Sequence, residues 1–345
     1  MTATASARLG GLWASDLLDV TDDLTALDSG GRWALALPYD GPPVCARFAQ
    51  WGRDDRNRRA RWRGPETAAW TSSLDAHAYE TRVERIREAI AAGDVYQANL
   101  CRIMSADLPD SAQTDMAALG ELLALGNPAP FAGYLDLPEH GVALATASPE
   151  LFLSIRPGEH GRVIRSGPIK GTGREAADLT DKDAAENVMI VDLVRNDLSR
   201  ISAVGSVSVP GLLTVEEHPG LVHLVSYVEG ILRDDVAWPE ILDATFPPGS
   251  VTGAPKLAAL SLIDELEPAA REFYCGALGW VDADTSEAEL AVTIRTFWTR
   301  DGRVFFGTGA GITWGSDPAA EWRETELKAA RLIDVAAGAW QADQP

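Results

Sequence analysis

Cysteine is scarce: Cys45, Cys101 and Cys275 are the only three in 345 residues, odd in number and widely spaced. That pattern excludes a disulfide framework or a paired-cysteine zinc site and points to a reducing, cytoplasmic compartment. Long apolar runs are missing as well. No stretch reaches the ~20 residues that span a bilayer, so no membrane segment is expected. The opening "MTATASARLGGLWASDLLDV" has no apolar h-region, which argues against a secretory signal. Positive charge is in deficit, with 30 Lys and Arg against 51 Asp and Glu, a net charge of −21. Nucleic acid needs a concentrated basic face, so that partner is excluded. The one basic run, "RDDRNRRARWR" at Arg53–Arg63, is broken by acids and reads as a solvated loop or hairpin edge. An acidic chain can still bind a small anion, but only by building a local cationic spot from Lys, Arg or a metal.

Nucleotide fingerprints are absent too. A phosphate loop needs Gly, four residues, then Gly-Lys-Ser/Thr. In "SGPIKGTGRE" (Ser166–Glu175), Gly167 and Gly171 bracket Lys170 in another order. In "GSVTGAPK", Ala254 and Pro255 separate Gly253 from Lys256.

What is present is a chain longer than one average domain, with 46% hydrophobic residues, enough for a large core. Short apolar runs up to residue 70 read as strands and loops. A helix is expected over Asp75–Ala92, where Tyr79, Val83, Ile86 and Ile90 share a face; Ser73 or Asp75 caps it and Gly93 stops it. Further helices are expected near Met116–Leu125, over 181–197 with apolar residues nearly all round, on both sides of "FPPGSVTGAPK", and at the C-terminal end. The all-round pattern of 181–197 predicts deep burial. Several strands run consecutively between the helices, which fits α+β better than a doubly wound parallel sheet.

Candidate chemistry concentrates in the second half. Glu321 and Glu324 share a helical face with Lys328. Spacing alone favours a solvated, salt-bridged helix there. Glu186 lies early in the apolar helix, and a buried carboxylate needs a partner or a cation. The three glutamates together would make a hard, oxygen-rich site suited to Mg²⁺. The glycine loop "GTGAGIT" (Gly307–Thr313) follows a strand and offers a tight turn or bare backbone. Arg295, in an alternating strand, serves equally as a carboxylate partner or a structural ion pair. His223, in an apolar strand, reads by default as a core histidine.

Eight blocks stand in order: "GDVYQANL", "SPELFL", "GPIKGTGRE", "KDAAENVMIVDLVRNDL", "VHLVS", "FPPGSVTGAPK", "RTFW" and "GAGITWGSDPAAEWRETELKA". From about Ser73 to Ala336 the chain resembles the chorismate-utilising enzymes, a family that includes anthranilate, aminodeoxychorismate, isochorismate and salicylate synthases. The resemblance implies one α+β unit, two antiparallel sheets packed between helical layers. Residues 1–72 would be a shortened strand-rich part of it, 73–338 the catalytic region and 339–345 a tail. "DLLDVTDDL" is a poor match to the family's tryptophan pocket.

Two positions subdivide the family. Water-using members carry a lysine where this chain has Gln97, which points to ammonia as nucleophile. Anthranilate synthases read Pro-Ile-Ala-Gly-Thr where this chain has Pro168-Ile169-Lys170-Gly171-Thr172, and a lysine there marks the aminodeoxychorismate branch. By resemblance, Lys170 is the covalent nucleophile and Glu150 the general acid. Glu186, Glu321 and Glu324 hold Mg²⁺. Arg295, Lys328 and the backbone of Gly309, Ala310 and Gly311 bind the substrate carboxylates, with Gln97, Thr172, His223, Thr252 and Gly253 around the ring. Ammonia would come from a separate glutamine amidotransferase subunit. A non-catalytic paralogue is the contrasting class, and the intact glutamates speak against it.

Overall fold

The computed structural model describes residues 4–53, 62–109, 115–173, 175–218 and 221–338. Most of the Arg53–Arg63 run and the tail 339–345 lie outside the described residues.

The chain opens with β1 (Ser6–Leu9), β2 (Leu12–Thr21), β3 (Arg32–Leu37) and β4 (Val44–Gly52), then a short β5 (Thr71–Ser72). In α1 (Ala76–Ala92), Asp75 is the cap in use: its Oδ1 accepts from the Ala78 amide at 2.8 Å. Gly93 ends the helix at φ 85°, a left-handed value that glycine adopts without a Cβ clash. Tyr79, Val83 and Ile86 are buried, as their spacing requires. β6 (Gln97–Asp107), α2 (Met116–Gly126), β7 (Phe131–Leu137), β8 (Val142–Ser148), β9 (Leu151–Gly158), β10 (Gly161–Gly167) and β11 (Ile169–Gly173) follow. Next come α3 (Asp181–Ser199), β12 (Ser208–His218), β13 (Leu221–Ile231), α4 (Trp238–Thr245), β14 (Gly253–Ala254) and α5 (Lys256–Leu266). The chain closes with β15 (Ala277–Asp282), β16 (Glu287–Val292), β17 (Thr296–Arg300), β18 (Arg303–Ile312) and α6 (Pro318–Ala336).

Pairing is antiparallel and forms one hydrogen-bonded network with two arms. One arm runs β6–β18–β17–β8–β7. The other runs β3–β15–β16–β9–β10–β13, with β11 and β12 also on β13. β1, β2 and β4 link the arms. Ile103, Leu144 and Trp298 of the first arm share a buried core with Leu35, Leu153 and Leu290 of the second. The next residue along β17 from Trp298 is its neighbour Phe297, which faces the opposite way and packs under α2 and α6 with Leu119 and Leu332. α1 and α5 cover the β6–β18 end through Val83, Leu262 and Ile312. α3 and α4 join the shared core through Ile190, Val194 and Ile241. Each such Leu or Phe contributes roughly 1.5–3 kcal/mol, more than an exposed ion pair, so apolar alternation sets the strand order. The α+β architecture of sheet between helical layers is thus observed. All three cysteines are buried and free. Among the described residues no helix is long and apolar enough to cross a membrane.

Three local expectations need correction. α3 is not buried all round: Asn187, Ile190, Val191, Val194 and Leu198 are buried, but Val188 is exposed. The helix lies on the sheet by one face only. The glycine-rich stretch is not a loop after a strand, since Gly307–Ile312 is the end of β18, paired residue by residue with β6. The alternating run around Arg295 is two strands, β16 and β17, broken at Arg295, whose φ is 52°.

Candidate active site

A cleft of about 570 Å³ is lined by parts of β11, α3, β18 and α6 and by the loop before β14. Ten of the residues singled out from the sequence line it: Glu150, Lys170, Glu186, His223, Arg295, Gly309, Gly311, Glu321, Glu324 and Lys328. The chain has four lysines. Three of them, Lys170, Lys182 and Lys328, line this cleft. The acidic chain therefore spends nearly all its lysine where a small anion would need it.

Glu150, just before β9, is buried, and burial pushes its carboxyl up to about 7. The Ser250 hydroxyl, the Lys170 charge and the Ile169 amide pull the other way. Lys170 Nζ donates to the Ser250 carbonyl at 3.0 Å. Ser250 therefore touches both groups, one through its backbone and one through its side chain. Sequence reasoning missed it, although it lies inside "FPPGSVTGAPK". Because that hydroxyl lowers the Glu150 pKa, Ser250→Ala raises it. The alkaline limb of the rate profile should move to higher pH, and a limb that stays or moves down contradicts this arrangement.

The loop carrying Ser250 is clamped on two sides. Lys256, the fourth lysine, donates to Asp197 Oδ2 at 2.7 Å and to the Thr245 and Pro247 carbonyls. Arg271, buried against Glu267, donates to the carbonyls of Val251 and Asn99 at 2.8 Å. Position and rigidity of Ser250 follow from these anchors.

β18 presents bare backbone to the cleft. A Cβ at Gly311 would stand 2.6 Å from Gln97 Nε2 and 3.8 Å from Lys170 Nζ, so only glycine leaves this spot open between them. Lys328 Nζ holds the strand end from α6, donating to the Gly309 carbonyl at 3.1 Å and to Glu324 Oε1 at 2.6 Å. At Arg295, burial lowers the guanidinium pKa, and no carboxylate pairs with it among the described residues. An unpaired guanidinium facing a cleft is a seat for a carboxylate.

A family model for chorismate binding enzymes matches residues 34–334. The chain belongs to the chorismate binding enzyme family. Among relatives of this family member, "Aminodeoxychorismate synthase component 1" of Salmonella typhimurium is 36% identical over 320 residues, covering 87% of this chain and 68% of the relative. The protein of that name from Escherichia coli is also 36% identical, over 323 residues. "Anthranilate synthase component 1" of Streptomyces coelicolor is 40% identical over 342 residues, covering 90% of this chain and 65% of the relative. The crystal structure of anthranilate synthase component I from Streptococcus pneumoniae superposes with a TM-score of 0.79 at 24% identity, covering 96% of this chain and 93% of that one, a likeness of fold.

In this chorismate binding enzyme several expected residues stand back from the cleft. Thr252 is fully buried and donates its hydroxyl to the carbonyls of Pro248 and Gly249, so it shapes the loop rather than facing a ligand. Gly253 pairs with Ala98, and a Cβ there would overlap the Gln97 carbonyl. Ala310 faces the core with Ile312, because β18 alternates and its glycines take the other side. Gln97 is buried behind Gly311, with Oε1 unpartnered. Thr172 pairs in register with His223 of β13.

The three glutamates share the cleft but do not form a ready metal cage. Among the described residues no three His, Cys, Asp or Glu side chains converge tightly enough to hold an ion. Lys182, which the sequence reading also missed, stands 3.7 Å from Glu186 and 3.4 Å from Glu321. Burial raises the Glu186 carboxyl, partly offset by Lys170 and Lys182. Burial acts the same way on Glu324, but Lys328, Lys182 and Lys170 outweigh it and hold that carboxyl below its usual range. The donor chemistry nonetheless fits a hard divalent cation: all three are carboxylates, and Glu321 Oε2 is buried without a partner.

Proposed function

We propose that this protein is component 1 of an aminodeoxychorismate synthase, converting chorismate and ammonia to 4-amino-4-deoxychorismate. The observation that carries the reading is Lys170: its Nζ lies in the cleft, tied through Ser250 to a carboxyl that burial keeps protonated up to about pH 7. The names of the Salmonella and Escherichia relatives support it.

Chorismate is a dianion with a 4-hydroxyl and an enolpyruvyl ether. Arg295 and Lys328 suit its two carboxylates, and the bare backbone of Gly309 and Gly311 lets the ring approach. Deprotonated Lys170 adds through Nζ to C2. Both ring double bonds shift by one position, the C4–O bond breaks, and Glu150 protonates the hydroxyl, which leaves as water. Ammonia then forms a bond to C4, both double bonds shift back and the C2–N bond breaks. Lys170 departs as a free amine, and the nitrogen ends at C4. Mg²⁺ held by Glu186, Glu321 and Glu324 would neutralise the ring carboxylate. A glutamine amidotransferase subunit would supply the ammonia, and the product would feed p-aminobenzoate for folate or an antibiotic precursor.

One observation favours a second reading. The Streptomyces relative named for anthranilate synthase has the higher identity, 40%. In that reading ammonia adds directly at C2. Incubation with chorismate, Mg²⁺ and ammonium distinguishes the two: nitrogen at C4 is expected, and an ortho-aminobenzoate product would sink the first reading.

A further inference from the structure

We infer that the Lys182 ammonium is the resident counter-cation of the carboxylate cluster, displaced when a divalent cation enters. The inference rests on the proposal that Glu186 and Glu321 bind such a cation. Lys182 is the second residue of α3, one turn before Glu186 on the same face. Its Nζ bridges two helices, lying 3.7 Å from Glu186 Oε1 and 3.4 Å from Glu321 Oε1 on α6. Both distances exceed those of a well-formed charged hydrogen bond, so the ammonium is held loosely.

The exposures are lopsided. The Lys182 side chain is 50% exposed, whereas that of Glu321 is 4% exposed. The lysine is half solvated, whereas both carboxylates are reached only from the cleft. Glu321 Oε2 remains buried with no hydrogen-bond partner. A buried carboxylate oxygen left in this way is costly. An ammonium resting on Oε1 does not relieve it, but a hard cation taking both oxygens does. Glu324 differs, since Lys328 already holds it at 2.6 Å. Lys182 therefore screens the two carboxylates that have no closer cation among the described residues. Once a divalent ion sits between them, the ammonium is redundant and repelled.

The test is Mn²⁺ titration of the full chain without substrate. Free Mn²⁺ is read by electron paramagnetic resonance, and melting curves are recorded alongside. Lys182→Gln should bind Mn²⁺ about twofold to fivefold more tightly than wild type, the range expected for removing a half-exposed competing ion pair. Lys182→Arg, which keeps the charge, should stay near wild type. Metal-free Lys182→Gln should melt below wild type, and the gap should close at saturating Mn²⁺. Glu321→Gln should lose the binding, which places the ion at this cluster. Unchanged or weaker Mn²⁺ binding by Lys182→Gln, with wild type binding normally, overturns the inference alone. Failure of wild type to bind Mn²⁺ removes the cation reading of the glutamates and the inference with it.

Discussion

Lys170→Ala should lower kcat/KM for chorismate in 4-amino-4-deoxychorismate formation by on the order of a thousandfold or more, the scale of losing a covalent nucleophile. The fold should survive, because Lys170 makes its hydrogen bond to a main-chain carbonyl of a loop anchored elsewhere by Lys256 and Arg271. Lys170→Arg separates nucleophile from cation. A guanidinium keeps the charge but stays protonated, so it cannot attack carbon. If Lys170 forms the C2–N bond, the arginine variant is as inactive as the alanine variant. Activity within about tenfold of wild type in Lys170→Arg would assign a purely electrostatic role. Any residual amination by Lys170→Ala should place nitrogen at C2, since ammonia must then attack chorismate directly.

Glu150→Gln should cost about a hundredfold to ten-thousandfold in kcat, the usual range for a general acid. The wild-type rate should fall as pH rises through about 7, where burial has placed this carboxyl, and the Gln variant should lack that limb. The same substitution should raise stability although it lowers activity. An acid with pKa 4.5 when unfolded and about 7 when folded keeps a proton in the fold that the unfolded chain has released. Stability therefore falls as pH rises from about 4.5 to 7, and the full cost, about 3 kcal/mol, stands above that window. Glu150→Gln removes the charge without removing the shape. It should melt above wild type at pH 8 and show no such advantage at pH 4.5. An equal difference at both values would mean the carboxyl is not destabilised by burial.

Much of this architecture was legible along the chain, for physical reasons that also explain the misses. α1 showed itself because its apolar residues repeat at helical spacing between a capping Asp75 and Gly93. β17 showed itself because Phe297 and Trp298 serve opposite faces. The end of β18 did not, since glycines at 307, 309 and 311 leave one face without side chains and alternation becomes silent. The break at Arg295 was hidden because apolar residues continue on both sides of a single left-handed residue. α3 misleads because its apolar residues are numerous, yet those that are buried fall on one face. At the site, the acids and the lysine stood in recognisable blocks. Ser250 did not, since half its role belongs to a backbone carbonyl. Lys182 did not, because its second partner, Glu321, lies 139 residues away on another helix.

The most direct test of the covalent route is the intact mass of the protein after incubation with chorismate and Mg²⁺ in the absence of ammonia. Attack by Lys170 at C2 with loss of the 4-hydroxyl should add one chorismate less one water, with the modification mapping to Lys170 and disappearing when ammonium is added. An unmodified protein under conditions where added ammonium yields 4-amino-4-deoxychorismate would contradict the covalent role of Lys170.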